Sequence, residues 1–234
     1  MNDTLDTAER ERQWRVLRAA SHDIRGPLAN VRSYASLLSD PRMELSEKAR
    51  RSVEVIIRNA DRALLLLREF IDSEQVTRGR LELPLEAVDL RGIWAKAVKA
   101  VTPLMEERKL RLELDEQVAA AVQAEAGALE HILRVVLEHA LSRSPEGGTV
   151  SVEIQPLPHA ELSIAVTDRG PPLTGEEQEQ LFDREAWLEK QRKLSLGFRL
   201  SLAQAEARTM GGTLEVSSTT GGTTLELRLP IAAT

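Results

Sequence analysis

One histidine in this chain is placed for covalent chemistry. His22 is followed directly by Asp23, and an imidazole beside a carboxylate can act as a nucleophile: the carboxylate takes a proton from one ring nitrogen while the other attacks. An inert surface histidine is the alternative at this point. The remaining histidines, His131, His139 and His159, lack the i,i+4 or short-loop spacing of a zinc site, so no metal site is expected. There is no cysteine, which excludes disulfides, thiol catalysis and cysteine-ligated metal. Any covalent step therefore falls to His22. A net charge of −6 argues against nucleic acid as the main partner, because binding a phosphate backbone requires a basic face. The opening MNDTLDTAERERQW is too charged for a signal peptide, and the longest purely aliphatic run, 63–67, is too short for a membrane span. These features predict a soluble, cytoplasmic protein.

The element that must carry His22 is legible in the spacing of apolar residues. Trp14, Leu17, Ser21, Ile24, Leu28, Val31, Ala35 and Leu38 recur at alternating intervals of three and four, and so do Ala49, Val53, Ile56, Ala60, Ala63, Leu67 and Phe70. Asp40-Pro41 breaks the two runs apart. Each run predicts a helix of roughly 45 Å at 1.5 Å per residue. The second also carries apolar residues off the seam, at Val55, Ile57, Leu64, Leu65, Leu66 and Ile71. A two-helix hairpin cannot cover that much apolar surface alone, so a homodimeric four-helix bundle is expected, with a monomeric hairpin packed on the rest of the chain as the alternative. Pro27, just past His22, predicts a kink or a loosened turn. After the polar stretch DSEQVTRGR, β-rich segments at 81–83, 110–114, 149–154, 161–167, 213–217 and 223–229 alternate with helical stretches at about 90–107, 126–142 and 198–210. Without strict βαβ alternation this predicts an α/β sandwich with one mixed sheet, and an α+β chain overall. The domains are expected at 1–77 and 78–234. The charged segment 170–195, with two prolines, reads as a long mobile loop or lid containing a short helix.

SHDIRGPLANVRSYASLL resembles the H box of sensor histidine kinases, whose histidine accepts a phosphoryl group. LELPLEAVDL resembles that family's entry strand, EAGALEHILRVVLEHALSRSPEGGTVSVEI its N-box region, and IAVTDRGPPL its first glycine box. LFDRE resembles its phenylalanine box, SLGFRLSLAQAEARTMGGTLEVSS its second glycine box, and GGTTLELRLP its closing strand. The order matches across almost the whole chain. The resemblance implies a dimerisation and phosphotransfer hairpin followed by a Bergerat-type ATPase-like domain. It makes His22 the phospho-acceptor, Asp23 the acid that assists transfer, Asp168 the reader of the adenine amino group, and Gly170 the glycine two residues after it. It also implies a receiver domain of a response regulator as partner, with a sensor kinase as a second possibility.

The sequence departs from the family pattern at the nucleotide. The two N-box asparagines fall on Val135 and His139, and imidazole is a poor substitute for an oxygen ligand of Mg²⁺. In the first glycine box the second glycine falls on Pro172, which has neither an N–H nor access to positive φ. In the phosphate loop only the central glycine survives, as Gly197; the outer two fall on Ser195 and Arg199, although Arg199 could pair with a phosphate. No cofactor is assigned outright, and ATP and Mg²⁺ are the ones the family would supply. Four positions after His22, Gly26 lacks the side chain with which related kinases orient water for phosphatase activity. With only about a dozen residues before the first heptad, an input signal is expected from a partner or from the short N-terminus. Three readings follow: a histidine phosphotransferase between receiver domains acting through His22 with little ATP-dependent autophosphorylation, an active sensor kinase with a divergent nucleotide site, and a non-enzymatic pseudokinase scaffold.

Overall fold

The computed structural model describes residues 2–40, 42–116, 121–183 and 196–232, and the chain divides into compact units at 1–79 and 80–234. The first unit is a helical hairpin. Helix α1 (Asn2–Leu38) runs through Pro27 without interruption, and α2 (Glu47–Thr77) starts at Ser46, whose hydroxyl accepts from the Ala49 N–H at 3.3 Å. Pro27 has no N–H to offer the carbonyl of Asp23, so the turn after His22 lacks one helical bond although the helix continues. Of the break predicted at Asp40-Pro41, Pro41 lies outside the described residues; Asp40 receives the Arg42 guanidinium at 2.7 Å.

The heptad pattern divides in space. Trp14, Ser21 and Ala35 of α1 are buried, with Leu28 half-buried, and so are Val53 and Ala60 of the α2 helix packed against it. The alternate positions Ile24, Val31 and Leu38 are 49, 48 and 39 % exposed, as Val55 and Ile56 of α2 are 44 and 43 %. One stripe thus closes the hairpin and the other is left uncovered. An ion pair of Arg32 with Asp61 ties the helices, and the Arg78 guanidinium lies 5.1 Å from the centre of the Trp14 ring.

The second unit is an α/β sandwich. Its five-stranded sheet has the order β2 (Arg111–Glu116), β4 (Thr149–Leu157), β5 (Glu161–Thr167), β7 (Gly222–Pro230), β6 (Thr213–Thr219), with β2 and β4 parallel and the other pairs antiparallel. Alternation puts Val150, Val152, Ile154, Leu162, Ile164, Val166, Leu225, Leu227 and Leu229 on one buried face. Helices α3 (Leu90–Glu107), α4 (Ala126–Arg143) and α6 (Leu196–Thr209) share this core. Helix α4 packs on both α3 and α6, so eleven of its residues are buried on nearly every side. The segment 81–83 predicted as a strand is not one. The strand starts at β1 (Glu86–Asp89), which pairs with a β3 (Ala121–Ala124) that the alternation did not reveal. Each contributes only four residues, too short a run for period-two patterning to register.

The predicted lid is fastened where it is described. Helix α5 (Gly175–Gln180) opens with a Thr174–Glu177 capping box, the Leu173 N–H donates to the Ser218 hydroxyl at 2.9 Å, and Leu181 is buried in the core. This part of the segment is an anchored loop. The predicted lid beyond Asp183, including Ser195, lies outside the described residues.

Candidate functional site

His22 projects from α1 with its side chain 84 % exposed, and its Nδ1 lies 3.3 Å from Oδ1 of Asp23, itself 81 % exposed. With Nδ1 turned to the carboxylate, Nε2 is the nitrogen positioned to attack. A groove of about 480 Å³ runs alongside, bordered by Arg18, Arg25, Leu64, Arg68 and Asp72. The guanidinium groups make its rim cationic, which suits a phosphoryl group arriving at the ring.

The positions implied for nucleotide lie in the second unit. Asp168 follows β5 and is only 1 % exposed. Its Oδ1 accepts from the Gly170 N–H at 2.7 Å, and its Oδ2 from Nε of Arg143 at 3.1 Å. The same guanidinium donates through Nη2 to the Pro171 carbonyl and reaches the Thr223 hydroxyl at 3.4 Å. Arg143 is the last residue of α4, and that terminus is capped in turn: Arg108 donates to the carbonyls of Leu141, Ser142 and Ser144 at 2.6, 2.7 and 2.8 Å, satisfying groups the helix end leaves unpaired. Two glycines allow this density. A Cβ on Gly170 would stand 2.5 Å from the Arg143 carbonyl, and one on Gly222, at φ +133°, would stand 1.8 Å from the Asp168 carbonyl.

The two asparagine positions hold no oxygen ligand. Val135 is fully buried hydrocarbon, and His139 is 6 % exposed, with its Nδ1 buried and without a hydrogen-bond partner among the described residues. Burial, and secondarily the nearby Arg143 cation, push the His139 imidazole down to about 4, so the ring is neutral at ordinary pH. No group of three or more His, Asp or Glu capable of holding a metal occurs among the described residues. These residues do not fit Mg²⁺. Pro172 is exposed on the surface after β5. Gly197 lies in the first turn of α6, in helix where a phosphate loop was expected. Arg199 pairs with Glu138 of α4, which Arg134 also approaches at 3.7 Å. A further link between the same helices, His131 Nδ1 to Glu206 at 2.5 Å, is buried.

Arg143 and Arg108 were not anticipated from the sequence. An arginine ending a helix is unremarkable by itself, and its acidic partner lies 25 residues away.

A helical hairpin presenting an exposed histidine, followed by a helix-backed mixed sheet with an aspartate at the end of a central strand, defines the class of a histidine-kinase core. Residues 13–79 match the His kinase A (phospho-acceptor) domain, and residues 124–233 match the histidine kinase-, DNA gyrase B- and HSP90-like ATPase family. The chain belongs to the two-component sensor histidine kinases. It is 31 % identical over 227 residues to the sensor histidine kinase MtrB of Mycobacterium tuberculosis, covering 94 % of this chain and 39 % of that protein. It is 26 % identical over 210 residues to the swarming motility regulation sensor protein RssA of Serratia marcescens, covering 90 % of this chain and 44 % of that one. The chain therefore spans about two fifths of the length of these relatives. The fold is shared with full-length ShkA, solved in complex with AMPPNP, at a TM-score of 0.69 and 22 % identity over 94 % of this chain and 46 % of that one. It is also shared with Acinetobacter baumannii histidine kinase AdeS, at 0.61 and 18 % over 91 % and 98 %. No described helix is long and apolar enough to cross a membrane.

Proposed function

We propose that this chain is a histidine phosphotransferase: His22 accepts a phosphoryl group from one receiver domain and passes it to another, with little ATP-dependent autophosphorylation. The observation that carries this reading is a contrast within the chain. The imidazole and its carboxylate are open to a partner, whereas buried hydrocarbon and a buried neutral imidazole occupy the positions from which Mg²⁺ would be held. Phosphoryl transfer from ATP depends on positioning and on charge neutralisation by metal, and among the described residues the two positions expected to hold that metal, Val135 and His139, offer no oxygen donor. Transfer from a receiver does not draw on them, because that partner brings its own metal.

Each step balances on the chain's own groups. The Nε2 lone pair attacks the phosphorus of the receiver's aspartyl phosphate, the P–O bond to the aspartate breaks, and that carboxylate leaves with the bonding pair. The positive charge that develops on the ring is met by Asp23 at Nδ1. The reverse step delivers the group to a second receiver, with Arg18 and Arg25 bordering the phosphoryl position. The uncovered stripe of Ile24, Val31 and Leu38 fits a second copy of the hairpin, completing a four-helix bundle.

Incubation with a phosphorylated receiver domain is expected to place acid-labile label on the wild type and none on H22A. Robust label from γ-labelled ATP that H22A abolishes would overturn the reading in favour of an active sensor kinase, the function that the relatives' names carry. Tight receiver binding without label would favour a scaffold.

A further inference from the structure

We propose that Arg143 is an internal plug of the adenine-reading position: its guanidinium occupies the Asp168 carboxylate and shuts adenine nucleotides out. This rests on assigning Asp168 to the adenine amino group, and it deepens the account of the nucleotide site by naming the group that closes it.

Three observations support the plug. First, both oxygens of Asp168 are engaged within the chain, Oδ1 by the Gly170 N–H at 2.7 Å and Oδ2 by Arg143 Nε at 3.1 Å. The carboxylate is 1 % exposed, so a ligand donor reaches it only by displacing a neighbour. Second, the guanidinium offers what an exocyclic amine would, planar N–H groups directed at a carboxylate, but with full positive charge, and a charge-assisted bond outcompetes a neutral donor. Third, Arg143 is held at more than one point. Nη2 donates to the Pro171 carbonyl and approaches the Thr223 hydroxyl, while Arg108 fixes the helix end from which Arg143 projects. A base entering this position must break those contacts and leave a cation without its counter-charge, for the gain of one neutral hydrogen bond.

Chemical-shift titration of the full chain with adenosine tests this. Adenosine reads the base position alone, so the altered metal and phosphate positions do not mask the result. The signal to follow is the Gly170 amide, which donates to the carboxylate in question. Wild type is expected to show no shift at millimolar adenosine. R143M keeps an apolar stem of similar length without the guanidinium and is expected to bind about tenfold or more tightly than wild type. R143M/D168N is expected to lose that gain. If R143M does not accumulate as folded protein, R143Q leaves Asp168 an amide donor and is expected to show a smaller gain. A wild-type shift that D168N abolishes overturns the plug, as does a folded R143M or R143Q that binds no better than wild type, or a gain that survives D168N. None of these results bears on label passing from a receiver to His22, so the two proposals fail separately.

Discussion

His139 is where a single residue carries a measurable consequence. Its ring is neutral in the folded chain down to about pH 4, because burial penalises the imidazolium and the Arg143 cation adds to the penalty. Unfolded, the same ring binds a proton near its ordinary value of 6.5. Between those two values the unfolded state holds more protons, so stability falls as pH drops through 6.5 toward 4. A displacement of this size corresponds to a loss of about 3 kcal/mol by the lower end of the window. Denaturant unfolding of wild type and H139L across pH 7 to 4 should show the acid limb flattened in the variant. At the same scale, residue identity was readable but pairing was not. His22-Asp23 announces itself as adjacent letters, whereas Asp168 reveals neither its burial nor its guanidinium partner until β5 and the C-terminus of α4 are brought together.

At the scale of elements, helix α4 decides most of what the second unit can do. It carries Val135, His139 and Arg143 on one continuous backbone, and packing on α3 and α6 fixes how far each is from solvent. At its C-terminus a single guanidinium, that of Arg108, donates to three carbonyls. Removing a charged donor from such an end costs about 2 kcal/mol. R108A is therefore expected to unfold at lower denaturant with an unchanged m-value, and native-state hydrogen exchange should show the last turn of α4 opening first. Strong periodicity made α3 and α4 legible, and strand alternation made β5 and β7 legible, because each is long enough to repeat its pattern. The four-residue strand β3 was not, and β1 was marked only by resemblance to the family's entry strand, since the pairing of the two is a tertiary event with almost no local signature.

For the whole molecule, the hairpin poses a surface problem that one copy does not solve. The heptads supply two apolar stripes; α2 covers one and leaves Ile24, Val31 and Leu38 exposed beside Val55 and Ile56. A second copy would bury that stripe with the packing of a bundle seam. Sedimentation of wild type at micromolar concentration is expected to give a dimer, and V31E, which sets like charges against each other across that seam, a monomer whose helix content is kept. A monomeric wild type would count against the bundle. The V31E monomer is expected to accept label from a phosphorylated receiver, because one hairpin carries both His22 and Asp23.

The sequence alone indicated a helical hairpin followed by a helix-backed mixed sheet, and the family. The hairpin and the sheet follow from periodicity, and the family from a resemblance carried by motifs in order along the chain. It also showed which nucleotide-site positions had changed type. What only the tertiary structure decided was what those changes amount to. Val135 became core, Arg199 turned to Glu138, and Arg143 closed on Asp168, because burial and ion pairing are set by which distant segments meet. A guanidinium carries no mark of its partner, and the choice between a ligand's carboxylate or phosphate and one within the chain is made only when the helix ends and strand ends are packed.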